Sequence, residues 1–438
     1  KVGVKSPPST PEAISISSMG SGVISIDVKN DDSALQYDVV EVDPETSKED
    51  SVGKFLKSPF LIQGLNNNKA YYYKVRAINE YGSSEFTEIL GASPSPERSK
   101  VLIINGFDRT VGTTNTFDFI FEHGEAVRKN SYTFDSASNE AVINGTVKLT
   151  EFPIVNWILG EEGTATSSFD EDEKRIVKNY ILNGGRLFIS GSEIGYDLVE
   201  KGSLSDVKFY EDFFKAKYIS DAAGGTSGVY SVEGVTNSFL DGYTFSFDDG
   251  NNGNYNVDWP DGIKPIGNAV SILKYVDVDY ESRGGAGIAY RGNFTNSSIP
   301  AGLVYLSVGL ESIYPDSMRI MVMGQILQYL EAPIASVESN DNVVPEGLNI
   351  SALYPNPSNR SISIEFQVLE LSPIAYLTIT DLMGREIFKM SALSLPTKIQ
   401  RYNWNGLTSR GDKAPSGIYI VNLSQGKEFV TKRFTLLK

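Results

Sequence analysis

The chain contains no cysteine and only one histidine among its 438 residues. The lack of cysteine excludes disulfides, a thiol nucleophile and thiolate metal sites, so carboxylates, hydroxyls and one imidazole remain for any chemistry. Basic residues are also few, 39 against 55 acidic residues, and the formal net charge is −16 at pH 7. No basic cluster could neutralise a row of phosphates, so we expect no nucleic-acid partner.

Long apolar runs are absent as well. No stretch approaches the roughly 20 apolar residues that a membrane-spanning helix needs, so we expect no membrane span. The chain opens at Lys1-Val2-Gly3-Val4 without the basic and apolar regions of a signal peptide, which predicts a mature product or a fragment of a longer protein. The composition, 40% hydrophobic with 11% aromatic, is typical of globular domains. The length predicts about three of them.

Residues 1–97 predict an all-β sandwich. Short runs that alternate apolar and polar residues follow one another between turns; they are residues 23–28, 36–42 and 71–77. Segment 65–84 resembles the fibronectin type III signature, in which Tyr71 would be the tyrosine-corner residue. The tryptophan usual in the second strand of that family is missing, and Ile24 or Ile26 is its expected substitute.

Such a module is expected to be a spacer, with ligand binding as the alternative. Residues 92–97, Ala-Ser-Pro-Ser-Pro-Glu, predict the linker that follows it.

Residues 99–332 predict a doubly wound α/β domain. The apolar run 101–104 ends in Asn105-Gly106-Phe107-Asp108-Arg109, as the first strand of a buried parallel sheet should. A helix with His123 follows, and residues 140–142 predict the next strand. Residues 168–173 predict the capped start of a second helix. The next apolar strand leads into Gly191-Ser192-Glu193-Ile194-Gly195. This alternation of strands and helices favours a doubly wound sheet.

The last of these segments has the spacing of a nucleophile elbow, a turn too tight for side chains at its flanking glycines. The order of strand, acidic turn, capped helix, glycine pair and elbow resembles the class I glutamine amidotransferase-like fold, a flavodoxin-like α/β arrangement. Four segments more narrowly resemble a Bacteroidetes secreted family whose members are often labelled xanthan lyase or N-acetylmuramoyl-L-alanine amidase; they are residues 105–109, 134–142, 157–162 and 190–195.

Two positions depart from amidotransferase chemistry. The elbow carries Glu193 where the resemblance implies the catalytic cysteine. Glu311 follows the last predicted core strand, residues 302–309, where the catalytic histidine of that fold is expected. A Cys-His-Glu triad is therefore impossible, and glutaminase activity is excluded.

Several carboxylates follow the predicted strands, at the rim where open α/β sheets bind ligands; they are Asp108, Glu161, Glu162, Glu193 and Glu311, with Arg109 beside the first. Converging carboxylates raise one another's pKa and can supply an acid and a base at neutral pH. Three alternatives stay open. The rim is a remnant used for packing or binding, or it is a hydrolase or lyase site for polysaccharide or peptidoglycan, or it binds a hard cation such as calcium or magnesium.

The enzyme alternative assigns catalysis to Glu193 with Glu161 or Glu311, and it adds His123 as a tentative acid or base. A lone histidine is more often a hydrogen-bonded structural residue, so the structural role is favoured. Ser192 could be a nucleophile, but no histidine is spaced to activate it, and stabilising the turn is its expected role.

Residues 224–291 predict a β-rich insertion. Within it, Asp248, Asp249 and Asn251 fit either a turn or a calcium loop, and the turn is favoured because no bidentate glutamate follows at the EF-hand distance. Nearby aromatic residues predict either core or a sugar-stacking platform; they are Tyr243, Phe245, Tyr255 and Trp259. Trp259 joins Asp108, Arg109 and Ser192 as a ligand-binding candidate. An apolar helix over 318–330 is expected to close the domain.

Residues 333–347 predict a linker, and residues 348–438 predict an antiparallel sandwich of about seven strands. This region resembles the type A C-terminal sorting domain of type IX secretion substrates through four motifs: Tyr354-Pro355-Asn356-Pro357, Asp381-Leu382-Met383-Gly384-Arg385, Trp404-Asn405-Gly406 and Pro415-Ser416-Gly417. The resemblance implies an upstream signal peptide, export through the outer-membrane translocon, cleavage within residues 335–346, and attachment to surface lipopolysaccharide or release.

These predictions describe a secreted or cell-surface modular protein whose partners are the type IX translocon and attachment machinery. A glycan or peptidoglycan is the further partner considered. The amidotransferase-like domain is predicted to be a binding or structural module, and a carboxylate-dependent hydrolase or lyase is the alternative.

Overall fold

The computed structural model describes residues 6–29, 32–108, 115–164, 167–225, 228–295, 297–333, 348–359, 361–367, 375–392, 400–409, 412–425 and 428–437. The chain divides into two compact units, residues 1–337 and residues 338–438.

The first unit begins with a β-sandwich. Its strands are β1 (Ser15–Gly20), β2 (Val23–Asp27), β3 (Gln36–Val42), β4 (Glu49–Phe55), β5 (Phe60–Gln63), β6 (Tyr71–Asn79), β7 (Gly82–Ser83) and β8 (Leu90–Ala92). One sheet has the order β1-β2-β5, and the other has the order β4-β3-β6, with β7 and β8 both pairing with β6.

The arrangement is a fibronectin type III-like sandwich. The predicted tyrosine corner is confirmed, since the Asn66 N–H donates to the Tyr71 hydroxyl over 2.8 Å. Ile24 and Ile26 are both fully buried between the sheets, where the missing tryptophan would pack.

The α/β part of the unit follows. Its elements are β9 (Val101–Asn105), α1 (Phe119–Lys129), β10 (Phe134–Ser138), α2 (Asn139–Ile143), β11 (Ile154–Gly160), α3 (Glu171–Leu182), β12 (Arg186–Gly191), α4 (Leu204–Phe209), β13 (Ala216–Ser220), β14 (Ser231–Gly234), β15 (Thr244–Phe247), β16 (Gly262–Pro265), β17 (Val270–Tyr275), α5 (Tyr280–Arg283), β18 (Gly287–Asn293), β19 (Pro300–Leu306), β20 (Ile313–Tyr314) and α6 (Asp316–Glu331).

Five parallel strands form the centre, in the order β10-β9-β11-β12-β19. Helices α1 and α6 pack on one face and helices α2, α3 and α4 on the other, so both faces are buried. Taken in chain order the strands run 2-1-3-4-5, the doubly wound order in which ligands bind where the winding reverses, here between β9 and β11. The predicted capping box is confirmed at α3, where Asp170 and Glu173 each accept the other's backbone N–H over 2.7 Å.

Two local predictions differ from the structure. The second parallel strand is β10, and residues 140–142 just after it lie in helix α2 and not in a strand. Strands β18, β17, β14, β15 and β20 extend the central sheet antiparallel beyond β19, so most of the β-rich insertion belongs to the same sheet.

The sandwich and the α/β part also share a sheet, because β1 pairs antiparallel with β10 through Ser15↔Ala137 and Ile16↔Ser136. The chain that joins them is packed as well: residues 91–95 are buried, and the Ser93 N–H donates to the Phe134 carbonyl over 2.9 Å. The linker predicted at residues 92–97 is therefore a packed connection, since its backbone bonds to the sheet.

The second unit is a small β-sandwich. Its strands are β21 (Asn349–Tyr354), β22 (Ser358–Asn359), β23 (Ile362–Gln367), β24 (Ala375–Asp381), β25 (Glu386–Ala392), β26 (Gln400–Trp404), β27 (Gly417–Gln425) and β28 (Glu428–Leu437). The sheets have the orders β21-β23-β26 and β22-β28-β27-β24-β25, and β22 is parallel to β28. Trp404 is fully buried between them. Of the predicted linker, residues 334–347 lie outside the described residues.

Candidate functional site

The carboxyl ends of the parallel strands carry the predicted acidic residues. Asp108 follows β9, and Glu161 and Glu162 follow β11, the two strands at the reversal of winding. Arg109 lies outside the described residues. Partial burial, assisted by the charges of Glu140 and Glu162, raises the pKa of Asp108 to about 6. The expectation that rim carboxylates raise one another's pKa therefore applies to this group.

Beside this group lies Glu173, the residue that closes the capping box of α3. Its Oε1 accepts a hydrogen bond from Asn139 Nδ2 over 3.0 Å, and the same amide lies 3.5 Å from Asp108 Oδ1. Burial raises the pKa of Glu173 to about 8. Asn139 thus links the exposed rim carboxylate to a buried one.

The elbow after β12 has the strained geometry expected of it. Glu193 adopts φ of +61°, in the left-handed region that side-chain-bearing residues rarely occupy. Its side chain is half-buried. Gly163 fits against the turn closely, since a Cβ there would come within 2.6 Å of the Glu193 carbonyl oxygen. Strain of this kind persists where surrounding packing enforces it, which is common at functional sites.

A carboxylate that the sequence did not single out occupies the backbone of the elbow. Asp261 is fully buried, and it accepts the N–H of Gly195 over 2.6 Å and that of Tyr196 over 3.3 Å. Burial raises the pKa of Asp261, and the nearby charge of Glu193 raises it further. Because these amides open the helical turn Tyr196–Lys201, the anion-binding end of that turn is filled by the protein's own side chain.

His123 and Glu311 meet on the α1 face of the sheet, although 188 positions separate them. His123 Nε2 lies 3.1 Å from Glu311 Oε2, and both side chains are closed to solvent. Asn156 Nδ2 lies 2.8 Å from His123 Nδ1, so in this orientation the ring proton is on Nε2 and is donated to Glu311. The Tyr255 hydroxyl donates to Glu311 Oε1 over 2.5 Å. We call these four residues the buried network.

The buried network is tightly enclosed. A Cβ at Gly309 would lie 2.1 Å from Glu311 Oε1 and 2.3 Å from the Tyr255 hydroxyl, so only glycine fits there. The Glu311 carbonyl accepts hydrogen bonds from Asn254 and Arg319. Burial, followed by the charges of Glu311 and Glu161, raises the pKa of Tyr255 well above its usual range, so its hydroxyl stays protonated and donating.

Ser192 is buried, and both its N–H and its hydroxyl donate to the Gly160 carbonyl, over 2.9 and 3.4 Å. These contacts support its expected role of stabilising the turn.

Among the proposed platform residues, Phe245 and Tyr255 are buried in the core, and Tyr243 is partly buried against that core. Trp259 is 51% exposed and is the platform residue that faces solvent.

The candidate calcium loop is closed by its own hydrogen bonds. Asp248 Oδ1 accepts the N–H of Gly250, Asn251 and Asn252 over 2.8–2.9 Å, and Oδ2 accepts that of Asn254 over 2.8 Å. Asp248 is 1% exposed, whereas Asp249 and Asn251 point to solvent on the turn. Backbone amides therefore surround the carboxylate, which supports the turn among the two alternatives. Across the described parts of the chain, no group of three or more histidine and acidic side chains is arranged to hold a metal ion.

The structure therefore brings His123 and Glu311 into contact, and it places Asp108 with Glu162 and Glu193 with Asp261. Sequence reasoning missed the roles of Asn156 and Asp261. Asn156 had a usable signal, an amide in the middle of the otherwise apolar run 154–159. Asp261 had none, because its partners are 65 and 66 positions away.

No helix within the described ranges is long and apolar enough to cross a membrane.

Comparison with known families identifies the end of the chain. Residues 352–436 match the model of the secretion system C-terminal sorting domain. The chain is therefore a substrate of the type IX secretion system, handled by that machinery through its C-terminal domain, and it is delivered to the cell surface or the extracellular space. No curated protein matches the chain.

Several solved structures are similar to a short part of the chain, at low identity. The structure described as FN3tt mut is 22% identical, covering 21% of this chain and 98% of its own, with a TM-score of 0.18. The sixth fibronectin type III domain of human fibronectin type III domain containing protein 3 is 16% identical; the match covers 21% of this chain and 90% of that domain's chain, with a TM-score of 0.19. PorZ of Porphyromonas gingivalis, a surface component of its type IX secretion system, is 24% identical; the match covers 21% of this chain and 12% of the PorZ chain, with a TM-score of 0.16. The sandwich is assigned from its own strands and tyrosine corner.

Proposed function

We propose that the chain acts at the cell surface as a non-catalytic binding module, built on an amidotransferase-like α/β body without the triad. The observation that supports this proposal is the burial of Glu311, the residue at the position where the amidotransferase resemblance implies a catalytic histidine. Its carboxylate is closed to solvent and held by His123 and Tyr255. A group that substrate cannot reach does not act as a general acid or base on it.

Trp259 is the residue through which we expect a glycan or peptidoglycan strand to bind. The ring is half exposed, and it lies two positions before Asp261, whose carboxylate holds the amides behind the elbow. Exposed aromatic rings present an apolar face for stacking and a polar edge. Glu193 and Asp108, both reaching solvent, would supply hydrogen-bond acceptors for sugar hydroxyls at the same rim.

The test is a pair of measurements on the same preparations. Purified chain is assayed for turnover of soluble glycans and peptidoglycan fragments, and for co-sedimentation with insoluble peptidoglycan and polysaccharide. We expect no turnover, and we expect Trp259→Ala to reduce binding by about tenfold, a loss near 1.4 kcal/mol. Tyr81→Ala, which removes a ring 42% exposed on the sandwich, is the matched control and should bind as wild type.

One observation favours the alternative of a hydrolase or lyase. Glu193 is presented on a turn with a left-handed backbone conformation, and it keeps access to solvent. In that case Glu193 would act with Glu161 across an open cleft, at the separation of about 5 to 9.5 Å that glycoside chemistry requires. Turnover by the wild type that Glu193→Gln abolishes, without loss of stability, would establish this alternative and contradict the binding-only function.

A further inference from the structure

The larger sheet of the second unit has one face that points away from the core of that unit. Alternate side chains of β24 and β27 are buried against the core, and the side chains between them point outward. Outward positions of such a sheet are usually polar, and most of those on β24, β27 and β28 are Thr, Ser or Asn. Tyr376, Ile418 and Phe429 depart from this pattern, and the two aromatic residues are 38% and 74% exposed. We call this side of the sheet the outer face.

The two rings of the outer face lie in one row across three strands. Tyr376 in β24 is opposite Ser424 in β27, and Ser424 is opposite Phe429 in β28. Directly opposite residues share a face, so the Cβ atoms of Tyr376 and Phe429 are about 10 Å apart. A strip with an exposed ring on each side and a small hydroxyl residue between them suits an extended sugar chain, because pyranose rings present apolar C–H faces to aromatic rings.

Hydrogen-bonding side chains occupy the next row of the outer face. From β25 to β28 they are Lys389, Thr378, Asn422 and Thr431, each opposite the next. Hydroxyl and amide groups can donate as well as accept, so they can pair with sugar hydroxyls in either sense. The Lys389 ammonium lies over the Tyr376 ring, with Nζ 4.8 Å from the centroid. The row therefore places polar groups and a cation beside the two rings.

The charge of the second unit differs from that of the rest of the chain. Residues 338–438 contain 11 basic and 9 acidic residues, whereas the whole chain contains 39 and 55, so the acidic excess lies in the first unit. The ion pairs among the described residues of the second unit do not involve Lys389 or Arg433, both of which are on the outer face. Glu386 is on the same side, but it lies beside the β24–β25 turn, two rows from the rings. The outer face near the rings therefore favours an anionic ligand.

We propose that the outer face binds a polysaccharide that carries carboxylate groups, with sugar rings stacked on Tyr376 and Phe429 and a carboxylate against Lys389. Two unpaired cations are too few to neutralise a row of phosphates, which disfavours nucleic acid as the ligand. The site lies in the second unit and goes beyond the binding function proposed for the rim. The acceptors at that rim are the carboxylates Asp108 and Glu193, which would repel an acidic chain.

The test is native affinity electrophoresis of the whole chain in gels that contain carboxymethylcellulose or hydroxyethylcellulose. Both polymers have a backbone of β-linked glucose, and only the first carries carboxylates. We expect carboxymethylcellulose to retard the protein in proportion to its concentration and hydroxyethylcellulose to retard it less. Tyr376→Ala and Phe429→Ala should each weaken binding by about tenfold, whereas Tyr376→Phe keeps the ring and should bind nearly as wild type. Lys389→Gln should weaken binding by about threefold and reduce its salt dependence.

Met383→Ala is the matched control, since Met383 is 80% exposed in the β24–β25 turn, at the other end of β24 from Tyr376. It should bind as wild type, and all variants should keep the wild-type urea midpoint because the altered side chains face solvent. Three results would overturn the proposal: no retardation by carboxymethylcellulose, equal retardation by both polymers, or wild-type binding by Tyr376→Ala and Phe429→Ala. Trp259→Ala should leave this retardation unchanged, so failure at the rim and failure at the outer face remain distinguishable.

Discussion

Replacing His123 with leucine examines how much the buried network contributes to stability. In the native chain Glu311 has two side-chain partners, His123 at 3.1 Å and Tyr255 at 2.5 Å. The substitution removes the first of them and also leaves the amide of Asn156 without its 2.8 Å acceptor. The carboxylate then keeps a single side-chain donor, because leucine fills much of the space of the imidazole without offering a hydrogen bond.

Removing one partner of a buried pair costs about 3–5 kcal/mol. Replacing both partners with apolar residues of similar volume costs much less, since no charge is then left buried. We therefore expect His123→Leu to destabilise the first unit by about 3–5 kcal/mol. The double change His123→Leu with Glu311→Leu should be milder than the sum of the single changes, with a coupling energy of about 2–3 kcal/mol.

Urea-induced unfolding of the four variants, followed by near-ultraviolet circular dichroism, measures this cycle. Unchanged slopes of the transitions would show that the variants unfold through comparable changes in exposed surface. Additive single and double effects, or a loss below about 1 kcal/mol for His123→Leu, would refute the reasoning, because they would mean that Glu311 does not depend on His123 as a hydrogen-bond partner.

Three further predictions concern neighbouring features. Burial raises the pKa of Glu173 from 4.5 to about 8. Its contribution to the free energy of unfolding is therefore fully present below about pH 4.5 and is lost as the pH rises through about 8. Urea titrations should show that Glu173→Gln flattens this pH dependence, and an unchanged pH profile of the variant would contradict the prediction. Gly106→Ala would place a Cβ 1.9 Å from Trp157 Nε1, so its urea midpoint should correspond to a loss of about 1–3 kcal/mol, and a wild-type midpoint would contradict the contact. Deleting residues 6–97 exposes the edge of β10, so size-exclusion chromatography should show species of higher apparent mass than the full chain gives, and an elution without such species would contradict this prediction.

Much of the fold was predictable because its signals are local. The capping box of α3 depends on residues three positions apart, and the tyrosine corner on residues five apart. The apolar runs of β9, β11 and β12 are long enough to indicate buried strands without knowledge of their partners. The strand β10 was harder, since Phe134–Ser138 contains polar residues that are satisfied only by its neighbours; Ser136, for example, bonds to Gly91 in β8.

The candidate site was predictable as a set of residues but not as an arrangement. The rule that strands of an α/β sheet end at one rim correctly grouped Asp108 with Glu162. The same rule placed Glu311 at that rim, where a catalytic role was one of its alternatives. The rule does not predict how deeply a side chain is buried, and the turn after β19 carries Glu311 under α1 into contact with His123. Exposure of Trp259, in contrast to buried Tyr255 four positions earlier, was equally unreadable from spacing.

The sequence by itself determined which chemistry is absent and where the protein goes. A chain without cysteine cannot assemble the amidotransferase triad, and the C-terminal motifs that match a sorting domain can be read in order along the chain. Tertiary structure alone decided that β1 joins β10, which makes the sandwich part of the main sheet, and that Glu311 is buried while Glu193 reaches solvent. The physical reason is that side-chain type and local periodicity are properties of neighbouring residues, whereas burial and pairing depend on contacts between segments that are far apart in the chain.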